Sequence, residues 1–231
     1  MPTALERPLL APTGRHVPTW WWFAAVLAFG IAAYSLRYAF LGERAYTAEL
    51  APSLRERPVT VTIHTLFGPV ALLGGLINLL PAARRGRAWR AHRWVGRAYV
   101  VSSLLLGGAG LSMAFHAAGG AGPRVAFALL ALATLATTAQ GYRHIRRHHV
   151  RQHREWMLRS YAQIFAAVTL RIWMPLLAVL VFQGQFVPAY RLAAWLCWVP
   201  NALFVEWIIR RGWRPAFVLR NGFAAVEAAQ S

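Results

Sequence analysis

The sequence contains no lysine and no aspartate: its 25 basic residues are all arginine and its 7 acids are all glutamate. Cysteine is nearly absent. Cys197 stands alone, so an intrachain disulfide is excluded and the redox compartment is left unmarked. Charge is scarce, at 14% of residues against roughly a quarter in soluble domains. Also missing are a phosphate-cradling glycine loop, a nucleophile elbow, an HExxH helix and a CxxC pair. Soluble-type catalysis therefore has no motif to stand on. What is present is apolar: 58% hydrophobic residues and a mean hydropathy of +0.40. A formal charge of +18 would ordinarily suggest nucleic acid. Here the charges are separated by apolar runs too long for a soluble core, and no nucleic-acid partner is expected.

Crossing a bilayer core takes about twenty apolar residues. Six segments qualify, roughly 20–41, 58–80, 94–117, 124–142, 156–182 and 189–209. A Gly-Gly-Ala-Gly-Pro turn at 119–123 parts the third from the fourth. Pro175 is expected to kink or shorten the fifth. Tryptophans crowd toward segment ends, where amphipathic rings favour the interface. The first segment reads as a membrane helix rather than a signal peptide, because it is long and few charges precede it. The expectation is an all-α, six-helix transmembrane bundle over 19–212 with tails at 1–18 and 213–231.

Arginine distribution orients the bundle. With the N-terminus inside, 18 arginines fall on cytoplasmic segments and 5 (Arg44, Arg55, Arg57, Arg124 and Arg191) outside, with Arg37 and Arg171 within the membrane. That bias places both termini in the cytoplasm. The stretch GYRHIRRHHVRQHREWMLRSYA, 141–162, opens as such an inner loop. Its partners are the lipid bilayer and the anionic headgroups of the cytoplasmic side, worth about 1 kcal/mol per charge near the surface. Its second half echoes the chain elsewhere: HRWVGRAY (92–99) and HREWMLRSY (153–161) share His-Arg, a short gap, Arg, one residue and Tyr. A repeat of helix hairpins 2–3 and 4–5 would produce this; so would chance between two arginine-rich interfaces.

Polar residues within the hydrocarbon are functional candidates by default. At 1.5 Å per residue, Arg37, His64 and Arg171 lie at one level, roughly 22–25 Å above the inner surface. Tyr34 and Tyr38 flank Arg37 on its helix face. Two guanidiniums and an imidazole at one depth repel unless an anionic or electron-rich group joins them. A ligand pocket for a haem propionate, a lipid phosphate, a quinone carbonyl or a small carboxylate is one reading; snorkelling arginines and a satisfied core histidine are the other. An inner polar layer holds His92, Arg93, His153, Arg154, Arg159, Tyr161, Asn201 and Glu206, with Gln140 and Gln163 in the same slab. Glu206 needs a cationic partner: Arg159 first, then His153, or Arg210 as a local i,i+4 pair. Haem b needs two neutral imidazoles at equal depth. His92 and His153 are the best matched pair, with His64 a further candidate, but arginine follows both of the former and water reaches them.

HRWVGRAY, HREWMLRSYAQIFAAVTLR (153–171) and WLCWVPNALFVEW (195–207) resemble the bacterial multi-pass membrane family catalogued as domain of unknown function 2306. The resemblance implies an integral protein of the bacterial cytoplasmic (inner) membrane. It brings no assigned reaction and no catalytic residues. The helix count and scattered histidines are also similar to the ascorbate-reducible di-haem b cytochromes, although the histidine depths do not fit that pattern. Three functions stay open: a membrane binding or redox protein holding haem b, quinone or lipid; a small-molecule transporter or channel; and an assembly partner whose polar layers are inter-helix glue.

Overall fold

A computed structural model describes residues 19–45, 48, 50–80 and 88–211. The expected tails at 1–18 and 213–231 lie outside the described residues. The fold is all-α. The helices are α1 (Thr19–Leu41), α2 (Ala51–Arg55), α3 (Pro58–Leu79), α4 (Ala88–Ala114), α5 (Ala121–Arg146), α6 (Val150–Ile164), α7 (Ala166–Leu180), α8 (Phe186–Leu196) and α9 (Val199–Arg210), with a 3₁₀ turn (Gly42–Ala45) after α1. α6 and α7 form one interrupted rod, as do α8 and α9, so six rods make the bundle. Five of them, Pro58–Leu79, Ala88–Ala114, Ala121–Arg146, Val150–Leu180 and Phe186–Arg210, are long and apolar enough to cross a membrane. The remaining rod is α1, of 23 residues.

Rods that follow one another in the chain run antiparallel, and side chains tie their ends. Arg57, just before α3, meets His116, just beyond α4. His153, early in α6, pairs through Nδ1 with the carbonyl of Gly141, late in α5, at 2.8 Å. Glu206, late in α9, accepts from Arg159 of α6 at 2.9 Å. α3, α4, α5 and α6 form the centre; α1 lies against α3 and α7, α8 against α5 and α7, and α9 against α6.

The bundle is built for an apolar solvent. Phe23, Val26, Phe29, Val179 and Leu180 are each at least two-thirds exposed, so aliphatic and aromatic groups cover the outside. Small residues fill the contacts instead: Ala28, Ala71, Ala126, Ala189, Ala193 and Ala194 are wholly buried. Lipid tails remove the hydrophobic gain from helix association, so close backbone approach and hydrogen bonds must hold the rods together. Gly75 is such an approach, because a Cβ there would collide with the rings of Tyr161 and Tyr99. One end of the bundle is arginine-rich, and three guanidiniums stack there on tryptophan: Arg97 on Trp94, Arg159 on Trp156 and Arg211 on Trp207, each 4.8 Å from the ring centre.

At the opposite end, Gly119 and Gly120 adopt φ values of +85° and +90°, which let the chain reverse between α4 and α5. Carbonyls of this turn accept from arginines: Arg124 reaches Ala117 at 3.3 Å and Arg191 reaches Gly119 at 2.7 Å.

The two interruptions have different causes. Pro200 has no N–H to offer Leu196, and α8 ends at Leu196. The expected disturbance at Pro175 falls elsewhere: α7 runs through Pro175, and the interruption lies at Phe165. There Asn201 Nδ2 donates to the carbonyl of Ala162, at 3.4 Å, in the last turn of α6. A side chain inserted into the ladder interrupts a helix without proline. Asn201 also donates to Thr169 at 3.1 Å and to the Cys197 carbonyl at 2.9 Å. Thr169 in turn donates to Cys197. One amide therefore fastens both breaks together.

Candidate functional site

A cavity of about 310 Å³ opens between α1, α3, α4, α5 and α7. Most of its wall is aliphatic, with Leu72, Leu106, Met113, Leu130 and Leu170 prominent. Its polar atoms include those of Ser35 and Tyr38 of α1, His64 of α3, Thr134 of α5, Gln163 of α6 and Arg171 of α7. Gln163 of α6 and Arg171 of α7, on either side of the break at Phe165, both line this space.

Arg171 is held from two sides. Nη1 donates to the Ala167 carbonyl at 2.9 Å, and Nη2 to the Ser35 hydroxyl at 3.1 Å. Ser35 donates its own proton to Ile31 O at 2.8 Å, so its oxygen is oriented to receive the arginine. The Tyr34 ring lies between two cations: Arg37 sits 3.9 Å and Arg171 5.9 Å from its centre. Arg37 also donates to the Tyr38 hydroxyl at 3.0 Å. Arg37, Tyr34, Tyr38 and Arg171 are therefore one cluster, and Arg171 shares the cavity with His64. Two polar atoms at the cavity are buried without a partner among the described residues, His64 Nδ1 and Gln163 Oε1. Gln163 itself is only 6% exposed.

The inner-layer residues are distributed differently. Glu206 accepts from Arg159 at 2.9 Å through one oxygen and from Arg210 at 3.0 Å through the other, so the two alternatives coexist. His153 turns to the Gly141 carbonyl instead. Tyr161 donates to Leu72 O at 3.3 Å. Asn201 holds the helix breaks. Arg93 is exposed, and Arg154 is half-buried. Gln140 is half-buried away from the cavity, whereas Gln163, expected in the same slab, lines it.

Of the haem candidates, His92 stacks on Trp89 at 5.4 Å, and neither His92 nor His153 lines the cavity that His64 lines. His116 also lines it. Among the described residues no group of three or more His, Cys, Asp or Glu is placed to hold a metal ion.

Sequence reasoning missed a buried hydroxyl chain. Ser160 lies 2.7 Å from Tyr99 and 2.7 Å from Thr138, joining α6 to α4 and α5. All three side chains are almost fully enclosed. A signal existed: Tyr99 closes the first echoed motif, and Ser160 sits in the second. Ser35 was missed as well; a small hydroxyl next to Tyr34 carries little weight without Arg171 opposite it.

A family model described as "Predicted membrane protein (DUF2306)" matches residues 61–209. The chain belongs to this family. The family region takes in His64, Gln163, Arg171, the hydroxyl chain and both helix breaks, while Ser35, Tyr34, Arg37 and Tyr38 precede it. The cavity is thus made by the family region and closed by α1. No curated protein and no solved structure matches the chain.

Proposed function

We propose that this protein sits in the bacterial cytoplasmic membrane with both termini inside, and that its cavity binds a ligand with an apolar body and one anionic or electron-rich head: a quinone, a lipid or haem. One observation carries the reading. Arg171, a cation far from either end of its rod, opens onto an aliphatic cavity together with His64, whose Nδ1 is buried and unpartnered among the described residues. Small-molecule sites are typically apolar clefts of about 300–1,000 Å³ with a few convergent polar groups. A buried polar atom without a partner costs about 1–3 kcal/mol, which a ligand would recover. The test is mass spectrometry and absorbance of whatever co-purifies with the native protein. A stoichiometric amphiphile or chromophore, lost on Arg171→Ala, supports binding; protein that folds, carries nothing and works equally well with Arg171→Ala and His64→Ala refutes it.

Transport is a second reading, favoured by the paired helix breaks beside the cavity. Discontinuous helices flank substrate sites in many secondary transporters. Substrate-dependent flux in proteoliposomes distinguishes it from binding alone.

A further inference from the structure

Charge separates the arginines of this protein into two groups. Arg159 and Arg210 share Glu206, Arg55 pairs with Glu43 at 2.9 Å and Arg151 with Glu155 at 3.1 Å. Arg124 and Arg191 serve carbonyls of the turn between α4 and α5. Arg171 and Arg37, like Arg124 and Arg191, have no acid among their described hydrogen-bond partners, but the two lie together beside the cavity. Their hydrogen-bond partners among the described residues are neutral: a carbonyl and a hydroxyl for Arg171, a phenol for Arg37. The two share one tyrosine ring, and no acid among the described residues lines the cavity. Removing one partner of a charge in an apolar interior costs several kcal/mol, so an uncompensated pair of cations calls for a counter-charge.

We infer that the cavity ligand is a single-chain amphiphile with a carboxylate head, a long-chain fatty acid or its equivalent, its head at Arg171 and its chain along the aliphatic wall. This rests on the ligand-binding reading above and narrows it. A carboxylate supplies the missing charge and matches the planar fork of a guanidinium, two parallel N–H···O bonds to two oxygens. A quinone carbonyl accepts a hydrogen bond but leaves the charge uncompensated. A diacyl phospholipid brings charge but two chains, and a cavity of about 310 Å³ lies at the small end for ligand sites. Ser35 and Ala167 hold the guanidinium in place, while Gln163 and His64 offer polar atoms at the same space.

The experiment is equilibrium binding of radiolabelled palmitate to the full chain in phosphatidylcholine nanodiscs, with methyl palmitate, hexadecanol and decylubiquinone as competitors. Saturable palmitate binding is expected, with the ester and the alcohol at least tenfold weaker and decylubiquinone unable to displace palmitate at equal concentration. Arg171→Gln should weaken palmitate at least tenfold, and Arg171→Lys less. If Arg171→Gln does not fold, the competitor series on the natural protein decides by itself. Hexadecanol binding as well as palmitate, or decylubiquinone displacing it at equal concentration, overturns the carboxylate assignment and leaves a ligand cavity standing. Palmitate binding unchanged in folded Arg171→Gln overturns it too. Saturable binding by none of the four overturns both the assignment and the cavity reading.

Discussion

Ser160→Ala should loosen three helices at once. The hydroxyl is 2.7 Å from Tyr99 on α4 and 2.7 Å from Thr138 on α5, and all three groups are shut off from lipid and water. Inter-helix hydrogen bonds in membrane proteins average about 0.6 kcal/mol and reach about 1.7. Two such bonds give about 1–3 kcal/mol for Ser160→Ala. Tyr99→Phe removes one bond and leaves Ser160 its contact with Thr138, so about 0.6 kcal/mol is expected. In the Ser160→Ala background the phenol has already lost its partner, and removing it should cost almost nothing. The double-mutant cycle therefore has a coupling energy of about 0.6 kcal/mol. Unfolding in mixed micelles of increasing denaturing-detergent fraction measures each corner. If Ser160→Ala and Tyr99→Phe add within about 0.3 kcal/mol, the chain carries no cooperative bond and the reasoning fails.

Other substitutions probe other contacts. Arg210→Ala removes an exposed i,i+4 pair and should cost about 0.5 kcal/mol or less, whereas Arg159→Ala, whose side chain is only 22% exposed, should cost at least twice that in the same unfolding assay. Gly75→Ala drives a methyl into two tyrosine rings and should destabilise by about 1–3 kcal/mol, with Gly108→Ala, which meets open space, as the control. Asn201→Leu keeps the bulk and removes the bonds that fasten the breaks; faster hydrogen exchange at Ala166–Leu170 and Val199–Ala202 is expected, with the rates of α3 unchanged. For orientation, in a Cys197→Ser background a cysteine at Arg191 should react with an impermeant maleimide added to intact cells, and one at Arg147 should react only after permeabilisation.

The helices were legible because hydrophobic length is a strong signal and needs no partner to be read. Segments two to six coincide with the five long apolar helices to within a few residues, apart from extensions at the ends. The ends run further because arginine tolerates helix well beyond the apolar stretch: α5 continues through Tyr142–Arg146 and α6 starts at Val150, so the basic loop shrinks to Arg147–His149. Depth along a single helix was legible too, since it is only rise times residue number. It set Arg37, His64 and Arg171 at one level; in the structure the two guanidiniums share the Tyr34 ring, and Arg171 and His64 line one cavity.

The helix breaks were not legible in the same way, and the reason bears on the cavity. Pro175 carries the stronger local signal, yet Phe165 carries the interruption, because the amide that opens the ladder comes from Asn201, on another rod. A tertiary contact of this kind leaves no mark within the segment it breaks. Gln163 and Arg171, about two turns apart on a straight helix, would sit roughly 80° out of register at 100° per residue, since eight steps overshoot two full turns by that much. Depth reckoning, at 1.5 Å per residue, set them about 12 Å apart and so in different layers, one inner and one outer. With the interruption between them, both line one cavity. Asn201 is therefore best regarded as the residue that shapes the cavity from behind, and loss of its bonds should reach Arg171 without touching it.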